Sequence, residues 1–175
     1  MAIEDVFTLM KPDSHANPDN LNRTLKMILN QTKLEVYAIK WINPTRELIL
    51  AHYAEVRPAL VYKFGQEKGE GIFSDIIDYM VGEFHNINEL LAIVYRGPNA
   101  IQTLRNLNGA TDPEKADPKS IRGLFGEKNY HFGRYPPVIF NVMHCSDSKE
   151  TRKIETELFF GNNYKNIGRV KNSLF

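Results

Sequence analysis

The chain of 175 residues has a single cysteine, Cys145. No intramolecular disulfide can form, so stability has to come from a packed core. That usage fits a reducing cytosol. Apolar runs are short, and none approaches the roughly 20 residues that a bilayer-spanning helix needs. The opening MAIEDVFTLMKPD has no basic segment followed by an apolar one, so it is not a secretory signal. Charge of either sign is not in excess: 22 Lys and Arg face 21 Asp and Glu, a net charge of +1. No overall field directs the chain to nucleic acid or to a membrane surface. Several nucleotide and metal signatures are missing too. There is no GxxxxGK(S/T) phosphate loop and no HExxH. Gly65, Gly69 and Gly71 do not make GxGxxG. One cysteine with scattered histidines gives no structural zinc spacing. These absences describe a soluble cytoplasmic chain with one domain, given its length and its 42% hydrophobic content.

What is present is an alternation of short apolar runs and helical patterns. Val6 to Met10 reads as a buried strand, ended by Lys11-Pro12-Asp13. Asn17-Pro18 reads as an N-cap and first helical residue, with Leu21, Leu25, Ile28 and Leu29 at helical spacing up to about Thr32. Leu34 to Ile42 reads as a strand, with Leu34, Val36 and Ala38 on one side and Glu35, Tyr37, Ile39 and Trp41 on the other. Asn43-Pro44 repeats the cap signal, and its helix is expected to reach about Glu55. Arg57 to Gly71, with three glycines, reads as an exposed excursion. Phe73 to Phe84 is helical and Leu90 to Tyr95 a central strand. Gly97-Pro98 opens a helix that Asn108-Gly109 closes. Ala110 to Pro137 is a long segment with a brief helix at Ser120 to Gly123. Val138 to Met143 is the fourth strand, and Asp147 with Glu150 starts a helix to about Phe160. The order fits an α+β, ferredoxin-like βαββαβ sandwich, an antiparallel four-stranded sheet with helices on one face.

Chemistry concentrates in Asn141-Val142-Met143-His144-Cys145-Ser146-Asp147-Ser148. A lone histidine is more often structural than catalytic. Here it sits between an apolar strand and a helix start, where free N–H groups favour anions. Glu155 lies two to three turns into that helix. A carboxylate on one ring nitrogen fixes the tautomer and leaves the other nitrogen nucleophilic. Lys11, Arg105 and Arg122 are cations that matter only if the fold gathers them, because phosphoryl transfer rests on positioning and charge neutralisation. Cys145 points away from its neighbour His144 on an extended segment and reads as a packing residue.

Taken together, Lys11-Pro12-Asp13, His52-Tyr53, Ser120-Ile121-Arg122-Gly123 and Asn141-x-x-His144-x-Ser146-Asp147-Ser148 resemble the nucleoside diphosphate kinase family, from about Val6 to Phe160. The resemblance implies a catalytic domain over 1–160, with insertions near 57–71 and 123–137, and a tail at 161–175. It implies a ping-pong reaction: the γ-phosphoryl group of a nucleoside triphosphate passes to a histidine and then to a nucleoside diphosphate. It also implies Mg2+ on the phosphates and a homo-oligomer, hexamer or tetramer, with no nucleic-acid or membrane partner. By resemblance His144 carries the phosphoryl group, Glu155 holds it with Ser146 alongside, and Lys11 and Tyr53 flank it. Arg105, Thr111 and Arg122 correspond to phosphate contacts and Asn141 to a sugar-hydroxyl contact. Ile72 stands where the family places its base-stacking aromatic, with Phe73 next to it and Val138 as the apolar partner. Cys145 replaces a glycine or alanine. Tyr130, His131, Phe132 and Tyr135 fall in the second insertion, placed to cover the nucleotide or to pack on a neighbour.

Overall fold

The structure, a computed structural model, describes residues 3–128 and 138–162. The readings made on Tyr130, His131, Phe132, Tyr135 and most of the tail lie outside those residues. The chain runs β1 (Ile3–Met10), α1 (Pro12–Ala16), α2 (Pro18–Gln31), β2 (Glu35–Ile42), α3 (Arg46–His52), α4 (Val56–Phe64) and α5 (Gln66–Met80). It continues through β3 (Leu90–Pro98), α6 (Ala100–Asn108), α7 (Ile121–Phe125), β4 (Met143–Cys145) and α8 (Lys149–Phe160). The strands form one sheet in the order β2-β3-β1-β4, with every neighbouring pair antiparallel. That is the ferredoxin-like order expected from the sequence.

The helices cover both faces, not one. The cause lies in β1 and β3, which are apolar on both sides and need cover on both. Val6, Met10, Leu91, Ile93 and Tyr95 pack with Ile28 of α2, Leu104 of α6 and Ile121 of α7. Phe7, Leu9, Leu90, Ala92 and Val94 pack with Ile49 of α3, Ile77 and Met80 of α5 and Phe159 of α8. The expected alternation in β2 breaks at a register shift between Val36 and Ala38. The extra residue of the bulge turns Ala38 to the α5 side, while Val36 and Ile39 share the α2 side.

Side-chain caps explain four of the eight helix starts among the described residues. Asn17 accepts the Asp19 N–H at 3.1 Å, as its sequence context implies. Thr45, not Asn43, caps α3 by accepting from Leu48. The Asn43 amide is instead spent on Asn88 O at 2.8 Å. Helix α3 also stops at His52, short of Glu55. Ser148, one residue beyond Asp147, caps α8 through the Thr151 N–H at 3.0 Å. Pro12 does more than end β1, because it starts α1. Gly97 and Pro98 stay in β3, and α6 begins only after Asn99. The fourth strand is shorter than Val138 to Met143 and shifted. The turn at Val142, with φ 68°, redirects the chain, so only Met143–Cys145 pairs with β1.

The largest correction concerns Arg57 to Gly71. The segment is a helical hairpin, not an irregular excursion. Gly65, with φ 85°, makes the turn between α4 and α5. Gly69 is the point where the two helices touch: a Cβ there would lie 2.6 Å from the Val61 Cα. Arg57 and Glu70 clip the pair with contacts of 2.9–3.1 Å. Gly71 faces open space. Gly69→Ala should therefore destabilise the chain by about 1–3 kcal/mol through overpacking. Gly71→Ala should stabilise it by up to about 1 kcal/mol through helix propensity. Urea denaturation of the two variants against wild type checks this opposite pair of signs.

Candidate active site

His144 lies within β4, and Glu155 reaches it from the second turn of α8. His144 Nε2 is 2.6 Å from Glu155 Oε1. The Ser146 hydroxyl donates to the other carboxylate oxygen, and the Ser146 N–H donates to Phe7 O at 3.0 Å. Glu155 is buried, so its charge is satisfied by these partners and by little water. A carboxylate accepts, so the ring presents Nε2–H to it and keeps the lone pair on Nδ1.

His52 stands against this pair. Its ring centroid is 4.9 Å from that of His144, at an interplanar angle of 87°. Phe7, Tyr53 and Phe159 make edge contacts with it from other sides. Burial, then the neighbouring His144 and Lys11, push its pKa well down, so it stays neutral.

Lys11 closes β1 and grips the segment that leads to His144. Its backbone N–H donates to Val142 O at 2.9 Å, and its ammonium donates to Asn141 Oδ1 at 2.7 Å. Asp13 accepts the Val142 N–H at 2.7 Å and the Tyr79 hydroxyl at 2.5 Å. A positive φ is strained in a β-branched residue. Here the Lys11-Pro12-Asp13 turn holds Val142 by both its C=O and its N–H. Asn141 also donates to Thr111 O at 2.8 Å. Burial, reinforced by Arg122 and opposed by Asp13, brings the Lys11 ammonium down to about 7. Burial and Glu155 push the Tyr53 phenol up, so it stays an O–H donor.

Arg122 approaches from α7, donating to Met143 O at 2.9 Å and Gly109 O at 3.2 Å. Arg105 is exposed near the end of α6, beside a small cavity that it shares with Gly109 and Cys145. The Cys145 side chain joins the α2 and α6 core, behind the strand from His144. Burial pushes its thiol up to about 12, which leaves it unreactive at neutral pH.

A cleft of about 390 Å³ opens in front of Lys11. Tyr53, Thr111 and Asn141 supply further polar groups, while Val56, Leu60, Phe64, Ile72, Ile76, Val138 and Ile139 make the rest mostly apolar. Ile72 and Val138 both line it. Phe73 does not, because the turn of α5 sends it into the core with Ile49 and Ile77. Sequence reasoning missed Phe64, Tyr79 and Asp13 as parts of this region, and it named His52 without a place in the site. Asp13 had a signal in its turn motif. Phe64 follows Val56 and Leu60 at helical spacing, a signal that the nearby glycines obscure.

A histidine with one nitrogen tied to a buried carboxylate, close to a cation-bearing cleft on a ferredoxin-like sheet, belongs to a phosphotransferase. The family model described as Nucleoside diphosphate kinase matches residues 4–164. A nucleoside diphosphate kinase from Nitrobacter hamburgensis is 31% identical over 163 residues, covering 93% of this chain and 97% of its own. One from Archaeoglobus fulgidus is 33% identical over 158 residues, covering 90% and 87%. Among solved structures, the apo nucleoside diphosphate kinase of Encephalitozoon cuniculi superposes with a TM-score of 0.69 at 25% identity, over 92% of this chain and 91% of that one. The Borrelia burgdorferi enzyme, solved as a transition-state mimic with vanadate and ADP, has the same fold with a TM-score of 0.70 at 23% identity, over 93% of this chain and 89% of that one. The chain belongs to the nucleoside diphosphate kinase family. It moves the terminal phosphoryl group of a nucleoside triphosphate to a nucleoside diphosphate. No helix among the described residues is long and apolar enough to cross a membrane.

The depressed Lys11 has a cost for folding. Its folded pKa of about 7 lies below the ordinary lysine value of 10.5, so the unfolded chain binds more protons between those values. The penalty is full below pH 7 and fades as pH rises toward 10.5. Lys11→Met should therefore raise the urea midpoint at pH 6, with the gain shrinking by pH 10. A gain that does not depend on pH would contradict the assignment.

Proposed function

We propose that His144 is the phosphoryl carrier and that the reaction is double displacement. The Glu155 contact occupies Nε2 and leaves Nδ1 for attack. Nδ1 bonds to the γ-phosphorus as the bridging P–O bond breaks, and the donor diphosphate leaves. An oxygen of the acceptor diphosphate then takes the phosphorus, and the N–P bond breaks. Glu155 stabilises the positive ring in between, and Ser146 keeps Glu155 in place. The observation that carries this reading is the 2.6 Å His144–Glu155 contact, three residues along the chain from Asn141, which lines the cleft with Lys11.

Lys11 and the Tyr53 hydroxyl are proposed to share the charge of the moving group. Arg122, Arg105 and Thr111 hold the phosphates and Asn141 a sugar hydroxyl. The base lies among Ile72, Val138 and Phe64. Mg2+ fits as a passenger on the nucleotide phosphates, where it neutralises charge, because no carboxylate among the described residues lines the cleft. The catalytic unit is proposed to span 1–160, with the α4–α5 hairpin lengthened by the insertion. It is proposed to assemble as a hexamer or tetramer; Trp41, more than half exposed on the edge strand β2, gives such an assembly an apolar contact. A light-scattering mass of one chain would contradict the assembly.

Incubation with γ-labelled ATP and Mg2+ should give acid-labile label on the wild type and none on His144→Ala. Label that persists in the variant removes His144 from the role. Lys11→Ala should lower turnover by roughly 10²–10³-fold, the range typical of removing one donor aimed at developing charge. The loss should fall on kcat more than on KM, and a pure KM effect would contradict the role. In the wild type, kcat/KM should decline as pH rises above about 7, where free Lys11 loses its proton.

A further inference from the structure

The mechanism above gives no task to His52. Its side chain is only 1% exposed, yet neither ring nitrogen has a hydrogen-bond partner among the described residues. A buried polar group without a partner calls for a specific cause, and an ion is one of the few available. His52 does not stand alone. One ligand atom from each of His52, His144 and Glu155 lies within 4.8 Å of the others. His52 Nδ1 is 3.9 Å from Glu155 Oε1, and His144 Nε2 is 2.6 Å from the same oxygen.

We propose that His52, His144 and Glu155 form an inhibitory site for a borderline transition-metal cation, with Zn2+ as its ligand. Two imidazoles and one carboxylate, with a fourth position left to water, are a donor set that zinc accepts. The same set is poor for Mg2+, which prefers an octahedron of oxygens. Tetrahedral zinc spaces its ligand atoms about 3.4 Å apart, so the three donors need shifts of only about 1 Å. The partly exposed side of His144 supplies the way in, since its side chain is 25% exposed. Phe7 and Phe159, packed on the His52 ring, hold that ligand in place without offering competing donors.

The consequence for activity rests on His144 being the phosphoryl carrier. Zinc takes the Nε2 lone pair. The proton that Nε2 presented to Glu155 then belongs on Nδ1 of the neutral ring. Nδ1 loses its lone pair and cannot attack phosphorus. Bound zinc therefore switches the histidine to the wrong tautomer without blocking the nucleotide cleft. Cys145, the single thiol of the chain, faces the opposite side of β4 and takes no part.

Calorimetry with zinc chloride and the full chain, free of nucleotide and chelator, tests the site. One zinc per chain is expected, with affinity reduced at least tenfold in His52→Ala and unchanged in Cys145→Ala. Wild-type affinity in His52→Ala, or its loss in Cys145→Ala, overturns the proposal. Cobalt(II) bound to the wild type supplies a readout that needs no variant: visible d–d bands are expected without a thiolate charge-transfer band, and such a band overturns the site. Label transfer from γ-labelled ATP should fall as zinc is added and return on chelation. If zinc binds as described but zinc-free wild type takes no label, the kinase reading fails and the metal site stands.

Discussion

One hydrogen bond, from His144 Nε2 to a buried carboxylate oxygen of Glu155, decides what this fold can do. It spans two elements, β4 and α8, so it exists only when the helix is docked on the sheet. Phe159, four residues beyond Glu155, docks that helix by packing on Phe7 with ring centroids 5.1 Å apart. Ser148 fixes where the helix starts and so which residue meets the histidine. Ser146 then holds the second carboxylate oxygen. In a site this dry the charge of Glu155 acts strongly on the ring. It sets the tautomer at rest and supports a positive ring when the phosphoryl group is attached.

The second constraint is the grip of Lys11-Pro12-Asp13 on the strained Val142. Two backbone contacts from Val142, one to Lys11 and one to Asp13, set the path of the chain into β4. The same turn buries a lysine beside Arg122, an arrangement that favours phosphate binding over stability. An incoming polyanion removes the conflict by restoring an opposite charge next to both cations. Stability given up in the empty cleft thus becomes affinity for a phosphorylated ligand.

The fold was legible where local chemistry and periodicity agreed. Asn17-Pro18 announced α2, Gly109 closed α6, and the apolar run from Leu90 marked a central strand. Four strands with helices between them sufficed for the ferredoxin-like order. The α4–α5 hairpin was hidden because no residue of α4 is buried and because the glycines around it looked like breakers. Gly69 is there for a helix contact, which only the packed structure reveals. The bulge in β2 escaped notice because alternation describes a regular strand. In the site, the gathering of Lys11, Asn141, His144, Ser146 and Glu155 was implied by the resemblance of their motifs to the family. Phe73 was misplaced by a single helical step, since Ile72 and Phe73 point to different faces of α5. His52 stood beside Tyr53 in a sequence motif, but its unpartnered nitrogens are a property of the packed interior that the motif does not reveal.

The central claim is a tautomer, and it can be observed directly. Long-range ¹H–¹⁵N correlation on protein with ¹⁵N-labelled imidazoles, in nucleotide-free and metal-free buffer, reports which nitrogen of His144 carries the proton. The account predicts Nε2–H with an unprotonated Nδ1. A His144 protonated on Nδ1, with a bare Nε2 facing Glu155, would contradict it.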